Sequence, residues 1–408
     1  MTLLDPETAS FPYQLIIDHK ALPDLLAQWS KASHLAIDTE FIRTNTFLAK
    51  PGLIQIADQH GVYLLDPLAI GDLSGLVPIL ENPDIIKVMH AMSEDVDLLF
   101  HSLGARINRV FDTQIAAAFA GIGASLGYQN LVMQVLAVPL DKGETRSDWL
   151  QRPLSDSQLA YAAMDVVYLM KLYDVLKPKL ESLGYLSALY EETYFLTEQT
   201  YRAWDQPDQA YLKLRGGWDL PESSQQLLQA LVIWRDKTAF SENIPRPWVF
   251  DDASLIEMAR LHPQTVYEIK RIRTVSGRSC KQFADSVLAV ISGFEPDLDS
   301  ERFQLIDAPL KPTEMPLYKK LKSVVNEVSR QTNIPLQLLG SRKMLEMVVM
   351  NFTRKRQSEM PSNILVDNQA QQKLSAESLN DTLLPEEFRG WRYSLFARRF
   401  LDVLRLVT

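Results

Sequence analysis

A chain of 408 residues is too long for one hydrophobic core and fits two or three domains of ordinary size. Hydrophobic residues at 46% and charged residues at 23% exclude a disordered chain, and no run reaches the roughly 18 apolar residues of a membrane-spanning helix. The net charge of −9 is uneven, with −13 in residues 1–210, −2 in 211–310 and +6 in 311–408. An acidic first half suits a cation site and a basic end suits a phosphate backbone, although uneven solvated surface charge accounts for the figures equally well.

In chain order, Met1 to Phe11 carries Asp5 and Glu7 with no basic leader, which points to the cytoplasm. Residues 34–42, 52–57 and 61–66 read as strands, the last two joined by a polar turn closed by Gly61, and so form a β-meander. In the first of these, Leu35, Ile37, Thr39 and Phe41 fall on one face, while Asp38 and Glu40 fall on the other. Like charges side by side need a cation, a proton or water to screen them, so this pair marks either a solvated edge or a metal site. A strand at 85–89 runs through His90 into a helix from about Ser93, with Asp95 in its first turn. There a carboxylate also simply favours the helix dipole, and His90 is equally read as a buried, hydrogen-bonded residue. Residues 112–120 read as a helix. Ser155 and Gln158 form a capping box that opens a helix through about Leu176, on which Tyr161 and Asp165 share one face at i, i+4 spacing. Alternating elements of this kind predict an α/β domain, a mixed sheet with flanking helices.

Beyond Asp205-Gln206-Pro207-Asp208 the pattern is helical alone, and Pro309 to Pro316 is a second linker. The two helical segments match at an offset of 90 residues: Leu231 with Leu321, Asn243-Ile244-Pro245 with Asn333-Ile334-Pro335, and Leu255 with Leu345. This suggests a duplication. The expected domains are 1–208, 212–296 and 312–408. The single cysteine, Cys280, has no Cys or His cluster around it, so neither a disulfide nor zinc is indicated.

Taken singly, each acidic motif has an ordinary structural reading. Together, Asp38-Thr39-Glu40, Asp95 some 55 residues later and Tyr161-x-x-x-Asp165 about 70 beyond that resemble the DEDD exonuclease superfamily in its tyrosine subclass. Pro51-Gly52-Leu53-Ile54-Gln55-Ile56, Val110-Phe111-Asp112-Thr113-Gln114 and Arg146-Ser147-Asp148-Trp149 narrow the resemblance to the exonuclease domain of the ribonuclease D family. The resemblance implies a ribonuclease-H-like domain that shortens RNA from its 3′ end, releasing 5′-nucleoside monophosphates. Asp38, Glu40, Asp95 and Asp165 would be ligands for two divalent ions, Mg²⁺ or Mn²⁺, as hard oxygen donors suit. Tyr161 would orient the attacking water, because a phenol with a free pKa near 10 is a poor base at neutral pH. It also implies that Glu40 helps hold the terminal 3′-OH and that Gln55 and His90 contact substrate.

Residues 224–292 resemble the HRDC domain in Leu227 to Arg235, Asn243-Ile244-Pro245 and Leu255 to Ala259. Lys270, Arg271, Arg273, Arg278 and Lys281, around Ser276-Gly277, are candidates for backbone phosphate, or a solvated helix end. Residues 312–408 resemble a second, diverged copy, giving two all-α HRDC-type domains after the catalytic one. Arg342, Lys343, Arg354, Lys355, Arg356, Arg398 and Arg399 would form a basic, phosphate-holding rim there, and Trp391 and Tyr393 could stack on bases, although such aromatics are more often core. The expected partners are tRNA precursors and other small structured RNAs, with no membrane, for a monomeric enzyme. A DNA exonuclease and a non-catalytic RNA-binding protein are the rival readings.

Overall fold

The computed structural model describes residues 12–140, 143–144, 147–297, 303–358 and 383–406. Arg146 and the Met1 to Phe11 segment, used in the sequence reading, lie outside the described residues. A six-stranded mixed sheet has the order β1-β4-β3-β2-β5-β6, formed by β1 (Tyr13–Ile16), β2 (His34–Ile42), β3 (Lys50–Ala57), β4 (Val62–Leu65), β5 (Ile86–Met89) and β6 (Val110–Asp112). β2, β3 and β4 are the expected antiparallel meander, while β1 joins β4, β5 joins β2 and β6 joins β5 in parallel.

Strand alternation sorts the two faces. Leu35, Ile37, Ile54, Ile56 and Tyr63 join a core with α1 (Leu22–Trp29) and α2 (Ser93–Leu103). Ala36, Leu53, Ala57, Leu64 and Val88 face α3 (Thr113–Phe119), α4 (Tyr128–Leu136) and α5 (Asp156–Leu183). Three elements differ from expectation. β1 was not anticipated, because a four-residue edge strand with Leu15 exposed has little alternation to read. The stretch 112–120 begins as strand: Asp112 ends β6, and its carboxylate accepts from the Gln114 and Ile115 amides to start α3 one residue later. α5 runs past Leu176 and through Pro178, because Leu180 is buried in the core and Gly184, at φ 74°, supplies the left-handed cap.

α6 (Leu186–Asp205) leads into two helical bodies. The first, with α7 (Glu222–Ser241), α8 (Asp252–Leu261), α9 (Val266–Arg271) and α10 (Gly277–Ser292), has its own core, which takes in Tyr211 and Ile306. The second, with α11 (Met315–Thr332), α12 (Arg342–Ser358) and α13 (Trp391–Arg405), shares a continuous core with the sheet domain. There Trp391 meets Phe119 edge to face at 4.9 Å and donates from Nε1 to Glu192, whose carboxylate also takes Arg392 at 2.7 Å. Trp391 is thus a packing residue rather than the free base platform that the sequence allowed. Among the seven rim residues, Arg342 is engaged with Glu346, Arg354 with Asp307 and Arg399 with Gln331.

Candidate active site

β2 is flanked by β3 and β5 and crossed by α5. The capping box fixes the start of α5, as the Gln158 amide donates to the Ser155 hydroxyl and the Ser155 amide to Gln158 Oε1. Helical phase then brings Tyr161 and Asp165 over the face of β2 that carries Asp38 and Glu40. Ligand oxygens of Asp38, Glu40 and Asp165 all lie within 4.8 Å of one another. Asp95 arrives from the opposite side. It sits in the first turn of α2 and accepts a hydrogen bond from Thr39, the residue between the two β2 carboxylates. It adjoins the cluster of three rather than being part of it, yet lies close enough that its charge and that of Asp38 repel.

The electrostatics follow from burial. Asp95 and Asp165 are buried, and Asp38 and Glu40 half-buried. Burial first, and then repulsion from Asp38, Asp165 and Asp95, pushes the Glu40 carboxyl up to about 10. Burial raises Asp165 to about 8 and lifts Asp38 and Asp95 well above the usual carboxylate range. Four acids so placed cannot all ionise without added positive charge. Hard carboxylate oxygens converging in a partly desolvated pocket are the donor set that a divalent cation such as Mg²⁺ or Mn²⁺ takes, so the residues fit a metal centre.

Tyr161 is half-buried, with its ring 6.3 Å from that of Trp149. Burial and the nearby Asp165, Glu40 and Asp38 charges raise its phenol well above its ordinary value. It therefore holds its proton at any ordinary pH. Trp149 is anchored by close approach to Gly52 and by Arg152, which bridges from the carbonyls of Trp149 and Gly52 to the Asp66 carboxylate.

Other expected site residues fare differently. Gln55 stands opposite Asp38 in the β2–β3 register but has no exposed surface, so the substrate contact expected of it is not open to it. It is the cross-strand neighbour of Asp38, and neither polar atom of its amide is partnered among the described residues. His90 Nδ1 pairs with the Thr113 hydroxyl at 2.9 Å, and burial lowers the pKa of its ring, keeping it neutral. The ring meets Tyr128 edge to face at 5.4 Å, and Tyr128 in turn donates to the Asp165 carbonyl. Tyr128 was missed because one tyrosine at the start of an amphipathic helix carries no distinguishing signal. Lys270, Arg271, Arg273, Arg278 and Lys281 are all exposed, on α9, α10 and the turn between them, within the first helical body and not on the elements that hold the carboxylates. Two are partly held, Arg271 over Tyr267 at 5.7 Å and Arg278 over Trp248 at 4.5 Å.

Residues 13–181 match a family model described as 3′-5′ exonuclease, and residues 224–291 match the HRDC domain. Ribonuclease D of Shewanella sp. (strain ANA-3) is 35% identical over 351 residues, covering 86% of this chain and 89% of the relative. Ribonuclease D of Escherichia coli (strain K12) is 32% identical over 376 residues, covering 91% and 98%. The crystal structure of Escherichia coli RNase D, an exoribonuclease involved in structured RNA processing, matches with a TM-score of 0.79 at 29% identity, over 97% of this chain and 99% of that one.

Proposed function

This chain belongs to the ribonuclease D family of 3′→5′ exoribonucleases, and from that membership we propose that it trims the 3′ trailing nucleotides of tRNA precursors and other small structured RNAs. The observation that carries this reading is the convergence of Asp38, Glu40 and Asp165 within 4.8 Å, with Asp95 beside them and Tyr161 one helical turn before Asp165.

Asp38, Glu40, Asp95 and Asp165 would hold two divalent ions, Mg²⁺ or Mn²⁺. When bound, such ions neutralise phosphate charge and make water a better nucleophile at neutral pH. The chain's own groups do the rest. Tyr161, protonated throughout, donates a hydrogen bond that fixes the line of the attacking water and takes no proton from it. Glu40 accepts from the terminal 3′-OH, so that a chain end is read and an internal bond is not. Neutral His90, its Nδ1 held by Thr113 and its Nε2 buried, packs edge-on against Tyr128, so any contact it makes to substrate would be through its ring. Products leave as 5′-nucleoside monophosphates.

We assign 1–208 to the exonuclease domain, 212–296 to an HRDC domain and 312–408 to a second, diverged copy. Matching positions of the two helical bodies support the duplication: Leu231, Leu321 and Leu255 are fully buried and Leu345 nearly so. Asn243 and Asn333 both take left-handed backbone just after a helix, at φ 47° and 59°. Lys270, Arg271, Arg273, Arg278 and Lys281 would grip the body of the RNA. We take the enzyme to be a cytoplasmic monomer; no helix among the described residues is long and apolar enough to cross a membrane.

The test is digestion of a 5′-labelled, 3′-extended tRNA precursor in Mg²⁺ or Mn²⁺, beside a DNA strand of the same sequence. Stepwise loss from the RNA's 3′ end is expected. Preferential shortening of the DNA would make this a DNA exonuclease, and binding without shortening would leave an RNA-binding protein.

A further inference from the structure

We propose that the cleft between the exonuclease domain and the first helical body binds a nucleotide of the RNA upstream of the scissile end, its base against Phe240 and its phosphate on Lys213 and Lys237. This rests on the exoribonuclease reading and adds a binding site to it.

The cleft has a volume of about 520 Å³, within the range of small-ligand sites. Its walls are chemically uneven in an informative way. Three carboxylates line it, and all three are already neutralised: Asp97 by Arg43 at 2.8 Å, Asp236 by Arg235 and Arg246, and Asp252 by Arg235 at 2.5 Å. Lys213 and Lys237 remain, both exposed and without an ion-pair partner among the described residues. The cleft therefore presents surplus positive charge in a chain of net charge −9.

Its apolar part is aromatic. Phe240 is 52% exposed on the cleft wall, buttressed edge-on by Phe47 at 5.7 Å, which is itself covered by Arg246 at 4.3 Å and met by Trp204 at 6.2 Å. A half-exposed ring held rigid by neighbouring rings, with two free ammonium groups near it, is the combination that single-stranded nucleic acid takes: a stacking face and a backbone counter-charge.

Position joins the cleft to the catalytic pocket. β2 carries Glu40 and ends at Ile42, one residue before Arg43, and α2 carries Asp95 and, two residues on, Asp97. Three residues of chain put the Arg43 backbone no more than about 11 Å from that of Glu40. The loop after β2 is pinned against the helical body, since the Asn243 side chain accepts from the Phe47 and Leu48 amides at 3.1 and 3.2 Å.

The experiment measures equilibrium binding of labelled oligouridylates of two, four, six and eight nucleotides in Mg²⁺, with Asp38→Asn as the parent so that RNA is not consumed. The parent's affinity should rise stepwise once the RNA is long enough to enter the cleft. Lys213→Glu with Lys237→Glu should abolish that step and lower the salt slope by about 0.7 to 1.4. Phe240→Ala should weaken the longer RNAs about 5- to 100-fold, the span of one lost base stack. Lys179→Glu, an exposed charge reversal on α5, should change nothing. Thermal melts check that each variant folds, and the lysine pair, exposed and unpaired, guards against a packing effect of Phe240→Ala. The proposal is overturned if the cleft variants bind every length as the parent does, or lose as much for the dinucleotide. Equal loss of free uridine 5′-monophosphate would also overturn it, because the site would then belong to a mononucleotide and not to RNA. Digestion of the eight-nucleotide RNA by the wild type, run alongside, tests the exoribonuclease reading separately.

Discussion

The hydroxyl of Thr39 donates to the carboxylate of Asp95, linking the strand that carries Asp38 and Glu40 to the helix on the opposite face of the sheet. Through this bond the fourth carboxylate is aimed at a cluster that its own helix does not face. A support of this kind, one bond removed from a metal ligand, is typically worth about 10- to 100-fold in metal affinity or activity. Thr39→Val should cost that much in Mn²⁺ affinity and turnover while leaving RNA binding intact. Unchanged Mn²⁺ titration would mean that Asp95 is oriented by something else.

Raised carboxylates make the protein's stability depend on pH in a stated direction. Burial pushes Glu40 up to about 10 and Asp165 up to about 8 in the folded chain, against ordinary values of 4.5 and 3.8. The metal-free folded state thus holds protons that the unfolded chain releases. Stability from these groups is full below about pH 4 and declines as pH rises through the folded values. A divalent ion replaces those protons, so Mn²⁺ should raise the melting temperature more at pH 9 than at pH 6, and its binding should release protons. Calorimetry in two buffers of different ionisation enthalpy reads the release. No release, or a larger thermal gain at pH 6, would contradict the assignment.

Gly52 is a contact point rather than a turn. A Cβ there would stand 2.6 Å from the Trp149 carbonyl oxygen and 2.7 Å from the Trp149 Cβ. Gly52→Ala must push Trp149 away, and with it the ring beside Tyr161. Overpacking of this sort costs about 1–3 kcal/mol, and turnover should fall as well, since a displaced Tyr161 no longer aligns the water. Wild-type melting and turnover in this variant would show that the contact is not tight.

The buried Glu192–Arg392 pair docks the C-terminal helices onto the exonuclease domain, with both side chains less than 10% exposed. Arg392→Ala leaves an uncompensated carboxylate and should cost about 3–5 kcal/mol in denaturant unfolding, whereas Glu192→Leu combined with Arg392→Leu should recover most of it. A double variant no better than the single one would mean that the pair's geometry, and not its charge, holds the interface.

What the sequence made legible was local. Alternation in residues 34–42 placed Asp38 and Glu40 on one face, and the capping box set the phase of Tyr161 and Asp165, because each signal lies within a few residues of its effect. What stayed hidden depends on partners far along the chain. Gln55 looks like an accessible polar residue until its strand is placed at the centre of the sheet, where it has no surface. Glu192 meets Arg392 across 200 residues, and no local pattern pairs Trp391 with Phe119. Thr39 and Asp95, 56 residues apart, meet only because β2 and α2 are adjacent in the folded sheet.

The central claim, that the carboxylate cluster carries metal-dependent hydrolysis from the 3′ end, is tested most directly by comparing wild type with Asp38→Asn on a 5′-labelled RNA in Mg²⁺. A one-nucleotide ladder is expected from the wild type, silenced by EDTA, and a rate lower by at least about 100-fold in a variant that still binds the RNA. A variant that shortens the RNA at the wild-type rate, or a wild type that cuts first at internal bonds, would contradict it.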